Sequence, residues 1–128
     1  MEEGRPVRPP KEIIEGFRDI PTSTISDVLD TMGINGIING LQVLVPGVRI
    51  GGAAFTIKAI AGELGSYSRS DFPVGEVIEL MEADDVLVCD LGGQRVSTMG
   101  GLGSLAMKLR GVVGMVVDGG VRDVELIR

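Results

Sequence analysis

Arg122 and Asp123 stand side by side after the run Gly111-Val112-Val113-Gly114-Met115-Val116-Val117-Asp118-Gly119-Gly120-Val121. A guanidinium can grip a carboxylate through two parallel hydrogen bonds, and a carboxylate can hold a hard cation. Earlier in the chain, Met99-Gly100-Gly101-Leu102-Gly103-Ser104 leads into a helical pattern through Leu105, Ala106 and Leu109. Glycines before a helix let backbone amides converge where the helix dipole is positive, so Gly100, Gly101, Leu102 and Gly103 form a candidate anion cradle. Together these parts suit a small 2-oxo acid. Its carboxylate would lie between Arg122 and the Gly100 to Gly103 amides, while a cation on Asp123 would stabilise the enolate left when a C–C bond breaks. Each part also has a plainer reading: Asp118 as a turn cap, Asp123 as a partner of the next helix's dipole, Arg122 as a surface cation, the glycines as tight turns.

What is missing narrows the chemistry further. The chain has no histidine, which excludes an imidazole base and His-ligated zinc within one chain. Its one cysteine, Cys89, sits inside an apolar run and reads as a small core residue, with no intrachain disulfide possible. Any metal must therefore take oxygen ligands, which points to Mg²⁺ or Mn²⁺. Of Lys11, Lys58 and Lys108, only Lys108 is read as close to the candidate edge, so metal-assisted enolate chemistry is preferred over an imine mechanism.

Elements of an α/β domain must deliver these groups. Val112 to Val117 reads as a strand buried on both faces, followed by a helix through Val124-Glu125-Leu126-Ile127. Val86-Leu87-Val88-Cys89 reads as a second buried strand, ending at Asp90 much as the first ends at Asp118. Ligands of open α/β sheets bind outside the carboxyl ends of the strands, and both runs hand an aspartate to that edge. Ala53 to Ile60 alternates as a half-buried strand, and Ala61 to Asp71 reads as an exposed loop. Helices are expected from Lys11 to Pro21, after a capping-box-like Thr24/Asp27 pair, and from Pro73 to Glu82. Residues 1–10, with three prolines, read as an extended lead-in, and 33–51 as turns.

The length of 128 residues suits one domain. A formal net charge of −6 without a basic run argues against nucleic acid and anionic membrane as partners. No apolar stretch approaches the roughly 20 residues of a membrane span, and a cytoplasmic location is expected.

The order Ser23-Thr24-Ile25-Ser26-Asp27-Val28-Leu29, Pro46 to Thr56, Asp85 to Asp90 and Gly111 to Asp123 resembles the RraA-like family. The most specific part is Gly-Val-Val-Gly-Met-Val-Val-Asp-Gly-Gly-Val-Arg-Asp. That family contains class II 4-hydroxy-4-methyl-2-oxoglutarate aldolases, oxaloacetate decarboxylases and regulators of ribonuclease E. The resemblance implies a swivelling β/β/α sandwich-type fold and a homotrimer or hexamer with sites between subunits. It further implies that Arg122 binds the pyruvyl carboxylate, that Asp123 engages Mg²⁺ or Mn²⁺, and that the Gly100 to Gly103 stretch donates amides. The expected activity is cleavage of a 2-oxo acid to pyruvate, by aldol cleavage or decarboxylation; the alternative is a non-catalytic regulator that binds an RNA-processing enzyme.

The sequence departs from the family pattern at three points. Ala61-Gly62-Glu63-Leu64 stands where many members have Gly-Asp-Asn, and Gly101 stands where aldolase members often carry an acidic residue. The sequence stops at Arg128 within its last helix, so the single domain, 1–128, is expected to lack its C-terminal strands.

Overall fold

A computed structural model describes residues 6–128; the first half of the expected lead-in, residues 1–5, lies outside the described residues. The architecture is mixed α/β with parallel sheets. Helices α1 (Lys11–Arg18) and α2 (Thr22–Thr31) lead, and after an irregular stretch come β1 (Ala53–Lys58), a 3-10 turn (Arg69–Asp71), α3 (Val74–Glu79) and β2 (Asp85–Asp90). They are followed by β3 (Ser97–Met99), α4 (Gly101–Leu109), β4 (Gly114–Asp118), β5 (Gly120–Val121) and α5 (Val124–Ile127). One sheet has the order β1-β2-β4, and β3 pairs with β5 in a second; both are parallel.

Pattern and position in the sheet explain each strand. Ala53 and Phe55 of β1 are buried while Ala54 and Thr56 are exposed, the alternation of a sheet with one covered face. Central β2 is flanked on both sides, and Asp85, Val86, Leu87 and Cys89 are all buried. The strand expected to be buried on both faces, β4, is only half-buried, because among the described residues it lies at the sheet's edge. Phe55, Ile78, Met81, Leu87, Met99 and Met107 form the core between the three-stranded sheet, α3 and α4. Gly111, with φ of +84°, lets the chain turn sharply from α4 towards β4.

Two helix starts differ from expectation. α2 begins at Thr22, with Pro21 before it, so Thr24 lies within the first turn and the Thr24/Asp27 capping box does not form. Likewise α4 begins at Gly101, which makes the glycine-rich stretch the helix's own first turn instead of a loop preceding it.

Two arginines tie the elements together. Arg8 forms a two-pronged ion pair with buried Asp85, Nε to Oδ1 at 2.8 Å and Nη2 to Oδ2 at 2.7 Å, and lies 5.9 Å above the Phe55 ring. Asp85 also accepts the Glu82 amide at 2.8 Å. Burial alone would raise the Asp85 carboxyl, but the Arg8 hydrogen bonds, the Glu82 amide and the Arg8 charge outweigh it and hold it below its ordinary value. Arg110, at the end of α4, donates to the Glu79 and Met81 carbonyls at the end of α3.

Candidate functional site

The parallel register gathers charge at the C-terminal edge of the sheet. Lys58 pairs with Asp90, and Asp90 with Asp118, so three ionisable residues end three neighbouring strands. Lys58 Nζ lies 3.7 Å from Asp90 Oδ2, and Asp90 Oδ1 accepts the Gly92 amide at 2.9 Å. The lysine at this edge is therefore Lys58. Lys108 sits in the last turn of α4, at the end remote from the glycines, which corrects the sequence reading of both. The signal for Lys58 was its place as the final residue of an alternating strand, once that strand is aligned in parallel with the one ending at Asp90.

Beyond Asp118 the chain enters β5, whose pairing with β3 places Arg122 and Asp123 against the start of α4. Ser97 pairs with Gly120 and Met99 with Val121, and the Arg122 amide donates to the Met99 carbonyl at 3.1 Å. Asp123 adopts a left-handed conformation, φ 59° and ψ 36°, tolerated best by glycine, asparagine and aspartate. This turn starts α5 and sends the carboxylate back to α4, where Asp123 Oδ2 accepts the Gly101 amide at 3.0 Å. Arg122 Nε lies 3.8 Å from the same oxygen.

Glycine leaves these groups room to converge. A Cβ on Gly100 would lie 2.8 Å from both Arg122 Nε and Asp123 Oδ2. At Gly101 the space a side chain would take is filled by Leu126, whose Cδ1 would stand 2.9 Å from a Cβ there. Neither the closeness of Gly100 to the ion pair nor the cover of Leu126 over Gly101 has a signature in local sequence.

The cradle is thus arranged differently from a simple loop of four amides. Gly100 is the residue before the helix, and Gly101 gives its amide to Asp123. Leu102 and Gly103 lie in the first turn, where amides have no intrahelical acceptor, and none of the described residues accepts from them. The helix dipole and the Arg122 guanidinium both favour an anion here. Arg122 keeps about three quarters of its side chain exposed, and Asp123 about two fifths, so both are accessible to a solute.

The donor set limits which metal can be held. No group of three Asp, Glu, His or Cys side chains fit to bind a metal occurs among the described residues. Asp123 offers a carboxylate whose Oδ2 is engaged by Gly101. A single carboxylate fits a hard cation that keeps most of its waters and takes further oxygens from a substrate, as Mg²⁺ commonly does.

The chain is similar to several known proteins. A family model described as RraA-like, Aldolase/RraA, matches residues 22–128. A protein named "Putative 4-hydroxy-4-methyl-2-oxoglutarate aldolase" from Halalkalibacterium halodurans is 31% identical over 115 residues, covering 89% of this chain and 50% of that protein. The structure of Streptomyces coelicolor RraAS2, described as an unusual member of the RNase ES inhibitor RraA protein family, superposes with a TM-score of 0.80 at 27% identity, covering 95% of this chain and 60% of that one. The RNA-processing inhibitor RraA of Thermus thermophilis superposes with a TM-score of 0.67 at 25% identity, covering 86% and 62% respectively. The chain spans half or less of the length of the curated relatives it matches.

Proposed function

This chain belongs to the RraA-like family, and on that premise we propose that it is a divalent-metal-dependent lyase that cleaves a C–C bond of a small 2-oxo acid to give pyruvate. The observation that carries the reading is the meeting of Arg122 and Asp123 with the first turn of α4, through the Asp123 bond to the Gly101 amide. Arg122 grips the substrate carboxylate, and the Leu102 and Gly103 amides meet its second face. Asp123 holds the Mg²⁺ or Mn²⁺ through its remaining carboxylate capacity and is itself oriented by Gly101. The cation, when bound, supplies Lewis-acid stabilisation of negative charge on the keto oxygen.

Decarboxylation is the reaction this arrangement favours. Aldol cleavage requires a base to take the proton of a hydroxyl, whereas carbon dioxide leaves without one. The side-chain atoms nearest a Cβ on Gly100 are those of Arg122 and Asp123, and nearest a Cβ on Gly101 those of Leu126. Leu126 fills the space at Gly101, so a base cannot be carried there without displacing it. Oxaloacetate is therefore the preferred substrate in this account, with 4-hydroxy-4-methyl-2-oxoglutarate as the slower one.

We propose further that the protein acts as a homotrimer or hexamer. Exposed Ile38 and Val43, in the irregular stretch before β1, support burial between copies. The test is pyruvate release from oxaloacetate with Mg²⁺ and with EDTA, measured above the rate of metal alone. A metal-dependent excess supports the lyase, and the absence of any excess in folded protein overturns it.

The RraA neighbours and the net charge of −6 favour a second reading, an acidic regulator that docks on basic surfaces of an RNA-processing enzyme. In that role Arg122→Ala leaves docking unchanged and added salt weakens it.

A further inference from the structure

The chemistry assigned to Arg122 and Asp123 lies beyond the C-terminal ends of the strands, and the opposite edge of the sheet carries a separate cavity of about 350 Å³. Arg18, Asp19, Arg49, Ile50, Gly51 and Val113 line it, the last two just ahead of β1 and β4. Its volume lies at the lower end of the range for small-molecule pockets, about 300–1,000 Å³. The three charges around it are not equally satisfied. Arg18 is neutralised: its Nη2 pairs with Asp84, and its Nε donates to the Gly51 carbonyl at 3.3 Å. Arg49 Nη2 donates to the Ile20 carbonyl, which fixes the guanidinium, but Arg49 forms no ion pair with any described residue. Four of its five N–H groups remain for a ligand. Asp19 stands at the C-cap of α1, where the helix dipole is negative, and among the described residues no cation or hydrogen-bond donor meets its carboxylate. No ion pair joins Asp19 and Arg49 across the cavity they share. A carboxylate is the partner that Arg49 lacks, and an ammonium is the partner that Asp19 and the end of α1 lack. A ligand carrying both satisfies both residues, whereas an anion or a cation alone leaves one of them unpaired. Ile50 and Val113 add aliphatic wall.

We propose that this cavity binds a free α-amino acid as its zwitterion, with the carboxylate on Arg49, the ammonium on Asp19 and an aliphatic side chain against Ile50 and Val113. Arg49 and Asp19 supply orientation, and the aliphatic wall supplies burial. The proposal depends on none of the roles given to Arg122 or Asp123.

Backbone amides at the cavity report on it directly. Protein labelled with ¹⁵N is titrated with L-leucine, with 4-methylpentanoate, which lacks the ammonium, and with 3-methylbutylamine, which lacks the carboxylate. The expected result is saturable shifts of the Ile50, Gly51 and Val113 signals by leucine, retained in Arg122→Ala. Each fragment should bind at least about tenfold more weakly, the worth of one charge-assisted hydrogen bond. Two variants separate the contacts. Asp19→Asn should weaken leucine about tenfold and leave 4-methylpentanoate unchanged, and Arg49→Gln should weaken leucine likewise and leave 3-methylbutylamine unchanged. No saturable shift of the three signals in the wild type overturns the proposal, as does their loss in Arg122→Ala. Equal affinity for leucine and either fragment, or undiminished leucine binding by either variant, overturns it as well. Should Arg49→Gln fail to fold, the fragment affinities and Asp19→Asn, a change at an exposed position, decide the matter.

Discussion

Asp123 caps a helix to which it does not belong: its Oδ2 accepts the amide hydrogen of Gly101, the first residue of α4, at 3.0 Å. The bond couples the carboxylate assigned to the cation with the amide turn assigned to the substrate. Asp123→Asn retains an acceptor and tolerates the left-handed backbone, so it should cost about 1 kcal/mol of stability at most. Asp123→Ala loses both and should cost about 2 kcal/mol. Both variants should lose Mg²⁺-dependent turnover. Urea unfolding alongside Mn²⁺ titration separates the two effects, and an Asp123→Asn protein that keeps full metal-dependent activity would remove the carboxylate from the account.

Gly100 offers a way to disturb the site while sparing the fold. Its backbone is extended, with φ of −138° and ψ of −173°, so alanine is compatible with the local chain. The added methyl would press on Arg122 Nε and Asp123 Oδ2. Gly100→Ala should lower oxaloacetate turnover at least about tenfold, because small misplacements of positioning groups carry large rate penalties. Thermal melting should show little change; normal turnover would contradict the assigned geometry.

Lysine should not replace Arg122. A guanidinium fork matches a carboxylate with two hydrogen bonds, and a single ammonium does not. Arg122→Lys should raise the inhibition constant for oxalate, a mimic of the pyruvate enolate, about tenfold or more. Because the Arg122 side chain is largely exposed, stability should shift by no more than about 0.5 kcal/mol. Calorimetric titration of both proteins checks the two figures together.

The Arg8–Asp85 pair predicts acid sensitivity with a definite sign. Asp85 is held below its unfolded value, so its stabilising contribution is present above the ordinary carboxylate pKa of about 3.9 and is lost as pH falls through the lower folded value. Arg8→Ala leaves the buried carboxylate unpaired and should cost about 3–5 kcal/mol near neutrality. Asp85→Asn should flatten stability against pH below about 4, as far as this group contributes. Denaturant titrations from pH 3 to pH 7 measure both.

Much of the sheet is legible in the sequence because its signals are local. The alternation from Ala53 and the apolar run at Val86 to Cys89 mark β1 and β2, and Val116-Val117-Asp118 marks the end of β4. The burial of β4 was not legible, since it depends on which strands neighbour it. Nor was the start of α4, where three glycines among four residues resemble a turn until a carboxylate from elsewhere satisfies the first amide. The candidate site divides in the same way. Arg122, Asp123 and the glycines announce themselves by type and spacing, whereas Lys58 at the edge and Leu126 over Gly101 arise from contacts between segments distant in the chain.

The most direct test of the central claim is initial-rate pyruvate release from oxaloacetate by wild type and Arg122→Ala, with Mg²⁺ and with EDTA, corrected for metal alone. A Mg²⁺-dependent excess in the wild type that Arg122→Ala reduces at least about a hundredfold is the result this account predicts. An excess of equal size in both proteins, or none in folded wild-type protein, would contradict it.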